Sequence, residues 1–179
     1  MNIVILGYTG LIGETIVENL LKNTNFNLTC VGRSNIKKVY KSNRIRYYKW
    51  DFVSFKKSEL SFLNKANFII NCVGKFKSKK NNLEYINFIL IKKLIKYIIN
   101  YKLKIRFIHL SSVSVYGVSE NLISKKVIIS ENTPTRVSEL YSKSKLNLDT
   151  YLNSLIKRKS NQNLSFTILR ISNVFGKKK

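Results

Sequence analysis

Ile3-Val4-Ile5-Leu6-Gly7-Tyr8-Thr9-Gly10-Leu11-Ile12-Gly13 is the stretch that decides the fold. Four apolar residues in a row suit a short strand buried on both faces. Glycines at 7, 10 and 13 follow, and Ile12, Ile16, Val17, Leu20 and Leu21 then recur at helical spacing. In such a strand–turn–helix junction each glycine has its own reason. The first permits a tight turn out of the strand, the second lets backbone approach a pyrophosphate, and the third lets the helix pack close to the sheet. The helix N-terminus then presents unpaired N–H groups and partial positive charge to the phosphates. A glycine triplet alone is a weak signal, and the strand before it and the amphipathic helix after it give it weight. Gly7, Thr9, Gly10, Leu11, Ile12 and Gly13 are therefore candidate cofactor contacts.

Working outward, strand-like runs recur at Asn27–Val31, Ile45–Trp50, Phe68–Cys72, Ile105–Leu110 and Leu164–Leu169. Between them lie a long helical pattern over Leu83–Tyr101, with Ile86, Leu90, Leu94, Ile95 and Ile98 on one face, and a second that begins near Glu139 and carries Leu148, Leu152, Leu155 and Ile156. Strands alternating with helices predict an α/β fold, a Rossmann-type doubly wound parallel sheet of about six strands with flanking helices. No linker or repeat divides the chain, so residues 1–179 read as one domain. The polar segment from Val118 to Val137, which holds the only proline, Pro134, reads as a substrate-side loop.

Composition narrows the class. No apolar run is long enough to span a bilayer, and Met1–Leu6 has no basic region ahead of it and no cleavage site, so it reads as a strand and a cytoplasmic protein is expected. Cys30 and Cys72 lie in different strand-like segments and are expected as buried thiols. With a single histidine, no metal cluster is expected. A net charge of +24, from 33 basic and 9 acidic residues, raises a nucleic-acid-binding reading. The basic residues are dispersed and form no arm, which favours a solvated basic surface that attracts anionic nucleotides.

Two further strings carry chemistry. Ser111-Ser112-Val113-Ser114-Val115-Tyr116-Gly117 follows the fifth strand, and Tyr141-Ser142-Lys143-Ser144-Lys145 puts a tyrosine and a lysine on one helix face. Hydride transfer between a nicotinamide and a carbon bearing oxygen needs a matching proton transfer at that oxygen. A free tyrosine titrates near ~10, too high for an efficient base at neutral pH, and a lysine cation one turn away would lower it. A serine hydroxyl would orient the oxygen and share its charge. Ser112, Tyr141 and Lys145 are the candidate catalytic residues. Arg33 ends the second strand where many dinucleotide folds place an acid, which favours the 2′-phosphate of NADP over NAD, with Ser34 and Lys37 or Lys38 assisting. His109 sits in an apolar strand and reads as a buried, satisfied side chain; no Gly-x-Ser-x-Gly elbow supports a hydrolase.

With these strings in order, the chain resembles the extended short-chain dehydrogenase/reductases, and within them the NAD(P)-dependent epimerase/dehydratase group that works on nucleotide sugars. The likeness includes Asp51 closing the third strand, Asn71-Cys72-Val73-Gly74 closing the fourth, Asn87 in the long helix, and Leu169-Arg170-Ile171-Ser172-Asn173-Val174-Phe175-Gly176. The resemblance implies that Asp51 bonds the adenine amino group and that Val73 and Gly74 line the cofactor. It implies that Asn87, on the cofactor side, supports the site from the helix behind it. Ser112 would bond the reacting oxygen, Tyr141 would move the proton, and Lys145 would bond the nicotinamide ribose. The implied reaction is oxidation or reduction at a sugar carbon, as an epimerase, dehydratase or reductase. A cofactor-binding protein without catalysis, or a nucleic-acid-binding one on the same scaffold, is the alternative.

Members of this group continue well past the Arg170–Gly176 string into a smaller C-terminal substrate domain. The expectation for these 179 residues is a cofactor half without that domain, inefficient alone. A truncated product, a homo-oligomer, and a partner chain that supplies the missing half all stay open.

Overall fold

The computed structural model describes residues 1–33, 40–52, 55–77, 80–117, 128–158 and 163–176. Ser34, Lys37 and Lys38 fall outside these, as do 118–127 of the expected loop and Lys177–Lys179. Six strands, β1 (Asn2–Leu6), β2 (Asn27–Gly32), β3 (Ile45–Lys49), β4 (Phe68–Asn71), β5 (Ile105–Ser112) and β6 (Leu164–Ile171), form one sheet. Every pairing is parallel and the order is β3-β2-β1-β4-β5-β6. The helices are α1 (Leu11–Asn23), α2 (Lys80–Glu84), α3 (Leu90–Asn100) and α4 (Leu140–Lys157).

Strand periodicity explains the two layers. Val4 and Leu6 point to one face, into a core with Ile69, Phe107, Leu90, Leu94 and Leu148. Ile3 and Ile5 point to the other, against Val17, Leu28 and Cys30. The inner face of α3 is Leu90, Ile91, Leu94, Ile95 and Ile98, all fully buried. α4 buries polar groups, Ser142, Ser144, Lys145 and Asp149, beside the apolar Leu148 and Leu152. At the far edge β6 is paired only with β5 among the described strands, and Leu169 and Phe175 nearby are exposed.

The chain reverses its strand order between β1 and β4, the place where an open α/β sheet forms a crevice beyond its carboxyl ends. Two details differ from the sequence expectation. The long helix is interrupted by a π turn at Tyr85–Ile89, which carries Asn87 into the interior. β5 also runs on through Ser112, two residues beyond the expected end, because β6 pairs with it in register as far as Ser112↔Ile171.

Candidate functional site

Gly7 leaves β1 with φ +78, a conformation that disfavours side chains, and its N–H donates to the Val31 carbonyl at 2.9 Å. The Gly10 N–H then donates to the Gly7 carbonyl at 3.0 Å and closes the turn. A Cβ at Gly13 would lie 2.4 Å from the Gly7 oxygen, so only glycine lets α1 come this close to β1. Gly10 opens α1 without a side-chain cap. The first-turn amides of Leu11, Ile12 and Gly13 thus keep their donors for an anion.

A cavity of about 130 Å³ opens at this turn, lined by Gly7, Thr9, Gly10 and Arg33 from one side and by Cys72, Val73, Gly74 and Ile86 from the other. Asp51 is half-buried one residue before Phe52, which joins the lining. A Cβ at Gly10 would stand at 3.4 Å from the Gly7 oxygen and begin to fill the cradle. Bare backbone, helix amides and an arginine suit a dinucleotide pyrophosphate and its sugar phosphate.

The β4 wall is held by two asparagines. The Val73 N–H donates to Asn71 Oδ1 at 3.1 Å. Asn87 grips the Lys75 backbone at both ends, accepting from its N–H at 2.8 Å and donating to its carbonyl at 3.0 Å, and Nδ2 also donates to Ser144 Oγ at 2.9 Å. It thereby ties the loop after β4 to α4, from the π turn, an irregularity that recurs at functional sites. Gly74 joins the two halves of the site. It lines the cavity, and a Cβ there would sit 3.2 Å from Lys145 Nζ.

Lys145 is buried and donates to the Leu110 carbonyl at 2.9 Å. Burial pushes its ammonium down to about 8, while the charges of Asp149 and the Cys72 thiolate form oppose that shift. One turn earlier, burial raises the Tyr141 phenol above its ordinary value, and the nearby Ser112 hydroxyl works against that shift; Ser112 Oγ itself accepts from the Ser114 N–H at 3.2 Å. The expected lowering of Tyr141 by the lysine is not found: burial outweighs the opposing cause and the phenol stays above its ordinary value, while the ammonium donates to the β5 backbone. Phe76 lies edge-on to the Tyr141 ring, centroids 5.0 Å apart, while 63% exposed.

Behind these residues runs a buried polar network. Asp149 Oδ2 accepts from Ser111 Oγ at 2.9 Å and from Arg170 Nε at 3.0 Å. Arg170 Nη1 donates to Tyr116 Oη at 2.8 Å, and its guanidinium lies over the Tyr116 ring at 4.9 Å. His109 Nδ1 is 3.1 Å from Asn71 Nδ2, while Nε2 lies 3.8 Å from Asp149 Oδ1 without a hydrogen bond. The expected satisfied histidine is thus satisfied on one nitrogen only. Burial holds the imidazole well below its usual range, so it is neutral. Serine, histidine and aspartate meet here, yet Ser111 donates to the carboxylate itself and all three are 2% exposed or less. No substrate reaches them, which removes the hydrolase geometry. The Cys72 thiol, pushed up to about 12 by burial, is no nucleophile at neutral pH.

Gly7, Thr9, Gly10, Arg33, Val73 and Gly74 therefore share one cavity, and Ser112, Tyr141 and Lys145 share the adjoining surface of β5 and α4. Ser111, Ser144, Phe76 and Asp149 were missed by the sequence reading. One signal was available, the spacing of four between Lys145 and Asp149 beside the apolar Leu148 and Leu152.

The family model described as NAD dependent epimerase/dehydratase family matches residues 3–179. Among curated proteins none matches the chain. Among solved structures, the UDP-glucuronic acid 4-epimerase of Bacillus cereus, in complex with NAD, superposes with a TM-score of 0.81 at 20% identity, over 100% of this chain and 58% of that one. The dTDP-glucose 4,6-dehydratase of Bacillus anthracis, also with NAD, gives 0.75 at 20% over 94% and 54%. Gre2 of Candida albicans, in complex with NADPH, gives 0.83 at 21% over 98% and 59%. The chain thus spans a little over half the length of each.

Proposed function

The chain belongs to the NAD dependent epimerase/dehydratase family, and from that premise we propose that it binds a nicotinamide dinucleotide and serves redox chemistry at a sugar carbon of a nucleotide-linked sugar. The observation that carries the proposal is Gly74, which faces the glycine cradle on one side and Lys145 on the other. A ligand lying along the crevice from Gly10 past Gly74 comes to the lysine, and from there to Ser112 and Tyr141.

When bound, the nicotinamide supplies hydride exchange with carbon. The chain's residues do the rest. Gly7, Gly10 and the α1 amides hold the pyrophosphate, Thr9, Val73 and Gly74 line its path, and Asp51 bonds the adenine. Arg33 bonds the 2′-phosphate of NADP, the preferred form. Asn87 fixes the loop that carries Gly74 and Lys75. Lys145 bonds the nicotinamide ribose. Ser112 orients the reacting oxygen, and Tyr141, a phenol that burial holds above its ordinary value, gives its proton there or takes one back. The sugar is supported by the family and by two neighbours, a UDP-glucuronic acid 4-epimerase and a dTDP-glucose 4,6-dehydratase.

Titration of NADPH and NADH followed by cofactor fluorescence tests the reading. Saturable binding with micromolar affinity, followed by turnover with UDP-glucose, UDP-glucuronic acid or dTDP-glucose, is the expected result. No binding at millimolar cofactor overturns it.

A further inference from the structure

We propose that Phe76 recognises the sugar ring of the substrate: an exposed aromatic ring held beside Tyr141, against which the C–H face of the pyranose packs, a role that rests on the nucleotide-sugar reading above.

The loop after β4 leads from the cofactor cavity to the catalytic surface. Gly74 lines the cavity and faces Lys145 Nζ, and Lys75 lines the cavity beside it. Phe76 follows, with its ring 5.0 Å from that of Tyr141 between centroids and inclined to it at 68°. A dinucleotide that runs from the cradle past Gly74 brings its nicotinamide end to Lys145. The molecule that reacts with it then lies at Tyr141, where Phe76 stands.

The ring serves the fold little. The contact with Tyr141 leaves Phe76 63% exposed, and apolar surface stabilises a fold only when it leaves water. Its base is nevertheless fixed. Asn87 accepts from the Lys75 N–H at 2.8 Å and donates to the Lys75 carbonyl at 3.0 Å, and the same amide reaches Ser144 on α4. The loop that carries the ring is thus tied to the helix that carries Tyr141 before a ligand arrives, which lowers the ordering cost of binding. A pyranose has hydroxyls around its rim and C–H bonds on its faces. Those C–H bonds carry partial positive charge and match the negative face of an aromatic ring. Phe76 takes the face of the sugar, while Ser112 and Tyr141 take the oxygen on its rim.

The test is saturation-transfer NMR with UDP-glucose at millimolar concentration, on the full chain deuterated except at its phenylalanine rings. Saturating those rings marks the pyranose C–H protons in the parent, and the mark is lost in Phe76→Ala. The dissociation constant of UDP-glucose rises about three- to tenfold in Phe76→Ala. Phe76→Tyr restores it, and the constant for UDP alone is the same in all three chains. Transfer from the ring to the sugar is a signal that a merely structural role for Phe76 would not produce. At 63% exposure the side chain is removed without breaking the core. No transfer to the pyranose in the parent, equal transfer and affinity in Phe76→Ala, or an equal loss for UDP alone overturns the proposal. The readout needs neither cofactor nor turnover, so its failure leaves the dinucleotide reading standing, and NADPH titration of the parent tests that reading separately.

Discussion

Around Gly7–Gly13 the wall of the site is backbone, whereas around Lys145 it is side chain. The glycine cradle is set by three residues within one turn, and its key distance, the space a Cβ would take at Gly13, is fixed by the approach of α1 to β1. The lysine half depends on partners far apart in sequence. Ser111 and Asp149 are 38 residues apart, Lys145 and Leu110 are 35, and Asn87 and Ser144 are 57. A local backbone device tolerates change in almost every neighbouring side chain but no Cβ at its contact. A non-local polar device tolerates some backbone change but not the loss of a partner, since an orphaned buried group costs about 1–3 kcal/mol.

The largest effect expected from breaking this contrast is on chemistry alone. Tyr141→Phe removes the proton-bearing atom and little else, because the ring contact with Phe76 remains. Turnover with a nucleotide sugar should fall by roughly 10²–10⁴-fold, with NADPH affinity within about twofold of the parent. Near-normal turnover would remove Tyr141 from the catalytic role. Next in size is the cradle. Gly13→Ala sets a methyl 2.4 Å from the Gly7 oxygen, so denaturant unfolding should register a loss at the upper end of about 1–3 kcal/mol, together with weaker cofactor binding. Gly10→Ala, whose methyl stands at an ordinary 3.4 Å, should keep its unfolding midpoint and lose only cofactor affinity. If the two alanines behave alike, the division between the packing glycine and the ligand-facing glycine is wrong.

This contrast also explains what could be read from the sequence. The six strands and the cradle were legible because their cause is local: apolar runs such as Ile3–Leu6 and Phe68–Asn71, and glycines at fixed offsets. Ser112, Tyr141 and Lys145 were legible as candidates through spacing and order. The π turn at Tyr85–Ile89 was not, since its apolar residues fit an unbroken helix equally well and only packing against α4 and the β4 loop selects the wider turn. Nor were the partners of Asp149, because no pattern within α4 says that Ser111 and Arg170 will face it.

A third prediction concerns the pH dependence of the polar half. The His109 imidazole titrates well below 6.5 because burial disfavours its cation. Below pH 6.5 the unfolded chain therefore takes up a proton that the folded chain refuses. Stability falls as the pH falls, through this group by up to about 1.4 kcal/mol per unit, until the folded value is reached. Asp149, raised above 3.8 by burial, works with the opposite sign, since the folded chain holds that proton more tightly. Comparison of the parent with His109→Asn isolates the imidazole, because the asparagine Oδ1 takes the place of Nδ1 as partner of Asn71 Nδ2. Unfolding by urea at pH 7.5, 6.5 and 5.5 should show a steeper acid loss in the parent than in the variant. Parallel curves would mean that His109 is not held neutral.

The smallest effect falls where a side chain serves the backbone half. Arg33 ends β2 exposed and lines the cavity beside Thr9 and Gly10. A guanidinium on a 2′-phosphate is a strong pair when buried, but an exposed one is screened by water and salt and contributes about 0.2–1 kcal/mol. Under the proposed reading the cradle would bind the pyrophosphate common to both cofactors, so substitutions at its glycines should weaken NADPH and NADH together. Arg33 alone should separate them. Arg33→Ala is expected to lower the ratio of NADPH to NADH affinity by up to about fivefold, close to 1 kcal/mol. NADH affinity should hardly move. Raising the salt concentration should reduce the parent's ratio toward that of the variant, since screening acts on the same charge. A ratio unchanged by Arg33→Ala would show that the 2′-phosphate, if it is read at all, is read elsewhere. The backbone half would then bind its ligand without any side-chain discrimination.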